Sequence, residues 1–131
     1  MGKIIIVGLG PGDYQSLTTK VEDILKNAEN LRTVKHPVVE KLQDLGIRFE
    51  SCDDIYDSAE SFEEVYEKIS QRIIDKALEG KNVVYAVPGH PLAAEKSVEL
   101  ILNKAHGNIE VIVEGAMSFI DAITASLKID I

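Results

Sequence analysis

The chain has 131 residues, 45% hydrophobic and 27% charged, and its 22 acidic against 14 basic side chains leave a net charge of −8. The excess is local: Glu50 to Glu67 carries eight acids and no Lys or Arg, so the rest of the chain is neutral. That balance lacks the clustered Lys and Arg that hold nucleic-acid phosphates or anionic lipid, and the length suits one domain with a sizeable core. A single cysteine, Cys52, excludes an internal disulfide and fits a reducing compartment. The start, Met1-Gly2-Lys3 before Ile4-Ile5-Ile6-Val7, lacks a signal peptide's apolar stretch and cleavage site, and no apolar run approaches membrane-span length. A soluble, cytoplasmic protein is expected.

In chain order, short β-branched runs alternate with amphipathic helices. Lys3 to Val7 is a strand buried on both faces. After a glycine-rich turn, Thr19-x-x-Glu22 forms a capping box that opens a helix to about Asn27. Leu31 to Val34 is a weak strand, and Pro37 and Gly46 bracket a second helix over Val38 to Leu45. Ile47 to Ser51 is a third strand, followed by an acidic loop. Ser61-x-x-Glu64 is a second capping box, and Phe62, Val65, Tyr66, Ile69, Ile73 and Ala77 follow at helical spacing until Gly80. Asn82 to Val87 is a strand broken by Pro88-Gly89-His90-Pro91. Leu92 to about Lys104 is helical, Ile109 to Val113 a fifth strand, and Met117 to about Leu127 a last helix. Strict β-α alternation predicts a single three-layer α/β/α domain with a mostly parallel five-stranded sheet.

Ligands of open α/β sheets bind beyond the carboxyl ends of the strands, which selects three loops. The first, Gly8-Leu9-Gly10-Pro11-Gly12-Asp13, is not a dinucleotide fingerprint. Its third glycine falls one position early, Pro11 removes a donor, Asp13 would repel a phosphate, and the helix starts only near Thr19. It is either a tight strand-to-helix turn or a backbone-lined ligand edge. The second, Pro88-Gly89-His90-Pro91, fixes a rigid path; His90 is either a general base or a turn histidine bonded to the backbone. As a metal ligand His90 lacks support, because His36 and His106 lie on other elements and Cys52 has no partner cysteine. The third is Glu114-Gly115-Ala116-Met117-Ser118, where helix capping is the default for Ser118.

The acidic stretch contains Glu63-Glu64-Val65-Tyr66-Glu67, half of the magnesium signature of all-α nucleotide pyrophosphohydrolases. The downstream half is missing, since Glu79, Glu95 and Glu99 are followed three residues on by Asn82, Val98 and Leu102. Acids in a first helical turn are favoured by the macrodipole in any case. The stretch is expected to be a solvated face, with no metal site.

At the three loops the sequence resembles the tetrapyrrole (corrin/porphyrin) methylase family, which binds S-adenosylmethionine between two α/β domains. The motifs are VGLGPGD (7–13) with LT (17–18), VVYAVPGHPLAAEKSVELI (83–101) and EGAMSFIDAI (114–123), and the resemblance spans essentially the whole chain. HPVVEKL (36–42) and ESFEEVYEKI (60–69) resemble a narrower branch, the methylase part of proteins that also carry a MazG-type pyrophosphohydrolase domain. The resemblance implies that Leu9, Gly10, Pro11, Gly12 and Asp13 border the methyl donor. It implies further contacts from Gly89, His90 and Ala93, and from Met117 and Ser118. Most of the family has G-D-P where this chain has Gly89-His90-Pro91, and a P-G with hydroxyl residues where it has Glu114 to Ser118. It also implies that residues 1–127 are the N-terminal half of a two-domain fold, that 128–131 begin the crossing segment, and that the protein is a homodimer.

Methyl transfer from a sulfonium demands positioning and desolvation more than an acid–base pair. The expected activity is therefore S-adenosylmethionine-dependent methylation of an unidentified small molecule, with His90 the candidate for a polar role and no turnover by these residues alone. The alternative is a non-catalytic ligand-binding or regulatory module attached to a nucleoside-triphosphate pyrophosphohydrolase.

Overall fold

The computed structural model describes residues 2–32, 35–93, 95–105, 107 and 109–130. Five strands, β1 (Lys3–Gly8), β2 (Glu29–Arg32), β3 (Phe49–Ser51), β4 (Val83–Val87) and β5 (Glu110–Glu114), pair throughout in parallel, in the order β3-β2-β4-β1-β5. Six helices accompany them: α1 (Thr19–Lys26), α2 (Pro37–Asp44), α3 (Asp53–Ser58), α4 (Phe62–Leu78), α5 (Lys96–Lys104) and α6 (Phe119–Leu127). β1 and β4 lie inside the sheet and are apolar on both faces, as the two continuous β-branched runs require. One face packs Ile4, Ile6, Tyr85 and Val87 against Ile55 of α3, Ile69 and Ile73 of α4, and Val98 and Ile101 of α5. The other packs Val7, Val84 and Ala86 against Val21 and Leu25 of α1 and Val38 and Leu42 of α2. Removing each such aliphatic side chain from water contributes roughly 1.5–3 kcal/mol.

The expected sheet is present, and the differences are local. α1 is capped by Thr18, whose Oγ1 accepts from the Val21 N–H at 3.1 Å, one residue before the expected Thr19. Glu22 accepts from the Tyr14 hydroxyl at 2.5 Å, so it ties a short 3-10 turn (Tyr14–Ser16) to α1 instead of closing a capping box. β2 starts two residues before Leu31; Val34, its expected end, lies outside the described residues. Residues 53–58, expected as loop, form α3. Phe62, expected on the buried stripe, is 71% exposed and stacks on Tyr66 instead of the core. α5 starts only at Lys96 and α6 at Phe119, later than the spacing predicts, because Pro88 to Ala93 and Gly115 to Ser118 are spent on the loops described below.

The acidic stretch faces solvent as expected, and it is also ion-paired. Asp53 meets Arg32 of β2 at 2.9 Å, Asp54 meets Arg72 of α4 at 2.6 Å, Glu50 meets Lys76 at 3.2 Å and Glu67 meets Lys104 of α5 at 2.6 Å. Of the half-motif, Glu64 pairs with Lys68 at 2.9 Å. Bidentate hydrogen bonding to Arg32 and to Arg72 holds the carboxyls of Asp53 and Asp54 below their ordinary range. No helix among the described residues is long and apolar enough to cross a membrane.

Candidate functional site

β1 and β4 are neighbours, but their chains leave in different directions: β1 feeds α1 on one face, and β4 feeds α5 on the other. A crevice at the carboxyl ends is the geometric consequence of that divergence. Here it opens between the first and second loops, with a volume of about 310 Å³, at the small end for a small-molecule site.

The loops are locked together by backbone. Leu9 N–H donates to Val87 O at 2.8 Å, and Gly10 and Gly89 exchange two bonds, N–H to O at 3.3 Å and 2.9 Å, as an antiparallel bridge beyond the parallel pair. Both glycines sit at positive φ, 80° and 63°, a conformation other residues resist. Gly8 is where all three loops meet. A Cβ there would stand 2.3 Å from Gly89 O, 2.6 Å from the Ala116 Cβ and 3.0 Å from the Pro91 ring. Gly115 in turn approaches His90, whose Nε2 lies 3.0 Å from the place of a Cβ. The three loops selected from sequence therefore form one contiguous surface.

Of the residues named from sequence, Gly10, Pro11, Gly89, His90 and Ala93 line this crevice. The others are placed differently. Leu9 is buried at the edge of the core, so only its backbone borders the loop. Gly12 stands clear of other atoms, and Asp13 turns its carboxylate onto Ser16, accepting from its N–H at 2.9 Å and its hydroxyl at 3.1 Å. Ser118 caps α6, accepting from Ile120 N–H at 3.1 Å while Asp121 accepts from the Ser118 N–H at 2.6 Å. The charge-assisted bond from that backbone N–H lowers the Asp121 pKa. Met117 is exposed.

His90 accepts from the Leu92 N–H on Nδ1 at 3.0 Å, which leaves Nε2 as the protonated nitrogen of the neutral ring, turned toward Gly115. Among the described residues no acid or hydroxyl side chain hydrogen-bonds to it in the manner of a catalytic base, although the Asp121 carboxylate lies within reach of its charge. Among the described residues no three His, Cys, Asp or Glu side chains gather into a metal-sized cluster.

Pro88 of the second loop lines the crevice too, and three further lining residues, His36, Phe119 and Glu95, lie outside the sequence-derived candidates. His36, set aside because it lies on another element, reaches the same crevice: β2 flanks β4, so the β2–α2 connection ends beside the first loop. Its Nδ1 caps α2 by accepting from Val38 N–H at 3.1 Å, and its Nε2 hydrogen donates to Gly10 O at 3.3 Å. Burial lowers its pKa and keeps it neutral, the only form that supports both bonds. His36-Pro37, a cap ahead of a proline at N1, was the available signal. Phe119 contributes an apolar wall, and Glu95 an acidic one.

This is an α/β domain with a crevice between glycine-rich loops at the strand ends of a parallel sheet. The chain matches the family model Tetrapyrrole (Corrin/Porphyrin) Methylases over residues 3–131, and it belongs to that family. It is 43% identical over 132 aligned positions to YabN of Bacillus subtilis (strain 168), covering 98% of this chain and 27% of that one. It is 31% identical over 129 positions to the cobalt-precorrin-4 C(11)-methyltransferase of Methanocaldococcus jannaschii, covering 98% of this chain and 48% of the relative. Among solved structures it superposes on uroporphyrin-III-C-methyltransferase from Thermus thermophilus with a TM-score of 0.68 and 25% identity, across 98% of this chain and 54% of that one. The chain thus spans about half or less of the length of these relatives.

Proposed function

We propose that this chain is the N-terminal α/β half of an S-adenosylmethionine-dependent methyltransferase, residues 1–127, with 128–131 leading into a second α/β half. The observation that carries the reading is the convergence of the three loops at Gly8, which builds a ligand crevice out of main chain. The residues present suit the methyl donor. The crevice offers backbone groups of Gly10 and Gly89 and an apolar wall at Phe119, with a single acid and no Lys or Arg among its lining, which fits a ligand of positive charge. S-adenosylmethionine supplies an electrophilic methyl group when bound. Around it Gly10, Pro11, Gly89 and Ala93 bind and orient, His36 holds the first loop in place through Gly10 O, and Phe119 excludes water on the open side. The activity asks for positioning and desolvation, so the absence of an oriented base at His90 is compatible with it.

Support for a second half comes from α6. Phe119, Ile120, Ile123 and Leu127 are all exposed, and α6 buries no residue at all. A contiguous apolar helix face beside the crevice suits a covering domain that also walls the ligand. In this reading the acceptor is a small molecule, the protein is a cytoplasmic homodimer, and its branch is the one that also carries a MazG-type domain. Calorimetric titration with S-adenosylmethionine, at the full encoded length, is expected to give saturable binding that Gly8→Val abolishes. Binding unaffected by Gly8→Val, or no binding by a folded protein, overturns the proposal. Residues 1–131 alone are expected to produce no methylated product.

A further inference from the structure

Glu95 sits between β4 and α5, inside the 83–101 stretch that also carries the second loop, and among the described residues it is the one acidic side chain on the crevice wall. Its Oε1 accepts from the Ser97 hydroxyl at 2.8 Å. Because a carboxylate only accepts, Ser97 must donate to it, and the Tyr85 hydroxyl, 2.7 Å away, therefore donates to Ser97. That two-step chain anchors the carboxyl group to the fully buried centre of β4. Beyond the Ser97 hydroxyl and backbone N–H the carboxylate has no hydrogen-bond partner, and Glu95 no ion pair, among the described residues, whereas acids on α3 and α4 have found cations. A partly buried carboxylate is costly when it is left without a cation. Burial pushes its pKa up, consistent with that missing partner. Tyr56, Tyr85 and Ser97 surround it from within, His36 and His90 share the crevice lining, and the adjacent Lys96 is paired with Glu99 at 3.2 Å and not with Glu95.

We infer that Glu95 receives the positively charged end of the ligand in this crevice, its cation-free carboxylate taking the sulfonium or the ammonium of the methyl donor. The inference rests on the proposed function and deepens it. Glu95→Gln tests it cleanly, because the amide oxygen still accepts from Ser97 while the charge is gone. Calorimetry at the full encoded length, with thermal melting as the check on folding, compares three ligands. S-adenosylmethionine carries both positive centres, S-adenosylhomocysteine only the ammonium, and 5′-methylthioadenosine neither. The expected result is that Glu95→Gln weakens S-adenosylmethionine by about tenfold or more, as loss of a charge-assisted contact does, and leaves 5′-methylthioadenosine unchanged. If S-adenosylhomocysteine weakens in parallel, the contact is to the ammonium; if it does not, the contact is to the sulfonium. Equal affinity of variant and parent for S-adenosylmethionine, or equal weakening of all three ligands, overturns the inference while leaving the proposed function standing. No binding of any of the three by the folded parent overturns the proposed function, and this inference with it.

Discussion

α4 and α6 are both amphipathic helices of the same small domain, yet they stand at opposite ends of its packing. α4 buries Val65, Ile69, Ile73, Ile74 and Ala77 against the sheet and α5, and ends in a Schellman closure, with Gly80 N–H to Ala77 O at 3.0 Å and Lys81 N–H to Lys76 O at 3.3 Å. α6 opens with a capping box at Ser118 and Asp121, but its large apolar residues face outward. Local helix signals are therefore as good at one end as at the other; what differs is whether a partner surface is present. The unpartnered end is also the end that borders the crevice, through Phe119. Stability and ligand chemistry have been given to different regions of the molecule.

The largest expected effect tests that division. Ile69→Ala removes a fully buried side chain and should cost about 2–5 kcal/mol in denaturant unfolding, whereas Ile123→Ala on α6, half exposed, should stay within about 0.5 kcal/mol. Comparable losses at the two positions would mean that α6 is packed more tightly than its exposure indicates. Next comes Gly8→Ala, where both regions meet. A methyl group 2.3 Å from a backbone oxygen forces the loops apart, so a loss of about 1–3 kcal/mol is expected together with loss of ligand binding. A variant that keeps parental stability and affinity would show that the three-loop junction is slack.

His36→Ala is expected to cost about 0.5–2 kcal/mol, as removal of a helix cap does, and to loosen the first loop through Gly10 O. Its pH signature has a definite sign. Burial places the folded pKa below the ordinary 6.5, so the unfolded chain binds the proton more readily. The contribution of His36 is complete above pH ~6.5 and is lost as the pH falls toward the folded value. Unfolding titrations from pH 8 to 5 should therefore show a slope in the parent that is reduced in His36→Gln. An unchanged slope removes His36 from the account.

The sheet was legible because its signal is local. Val83 to Val87 and Lys3 to Val7 announce doubly buried strands whatever surrounds them, and Ser61 and Ser118 announce helix starts through their own caps. The site was legible only as three separate loops. Which glycine matters most was not, because the crowding at Gly8 is created by Gly89 and Ala116, distant in sequence and brought together by the β4-β1-β5 order. His36 was hidden for the same reason. Glu95 was hidden differently: helical spacing runs on from Leu92 without a break, while α5 begins only at Lys96 and leaves Glu95 as its N-cap. α3 escaped notice since six residues rich in Asp resemble a turn.

The smallest effect concerns what holds the packed end. The acidic stretch is pinned by ion pairs, of which Arg72 to Asp54 has the best geometry, with two bonds at 3.1 Å and 2.6 Å. Asp54 is exposed and Arg72 partly so, so water and salt screen their attraction, and ordering the long Arg72 side chain offsets much of the remainder. A double-mutant cycle on Arg72→Ala and Asp54→Ala should give a coupling of about 0.2–1 kcal/mol that shrinks as salt is raised from 0.05 to 0.5 M. Ile55, buried under the same helix, should cost several times more on truncation to Ala. If the coupling rivalled the Ile55 value, α3 would be held by charge; the packing of Ile55 and Cys52 beneath it, with burial pushing the Cys52 thiol up to about 11, says that it is held by apolar contact. The difference between the two ends of the domain is then one of covered apolar surface, and α6 is the helix whose cover is not supplied by the residues described.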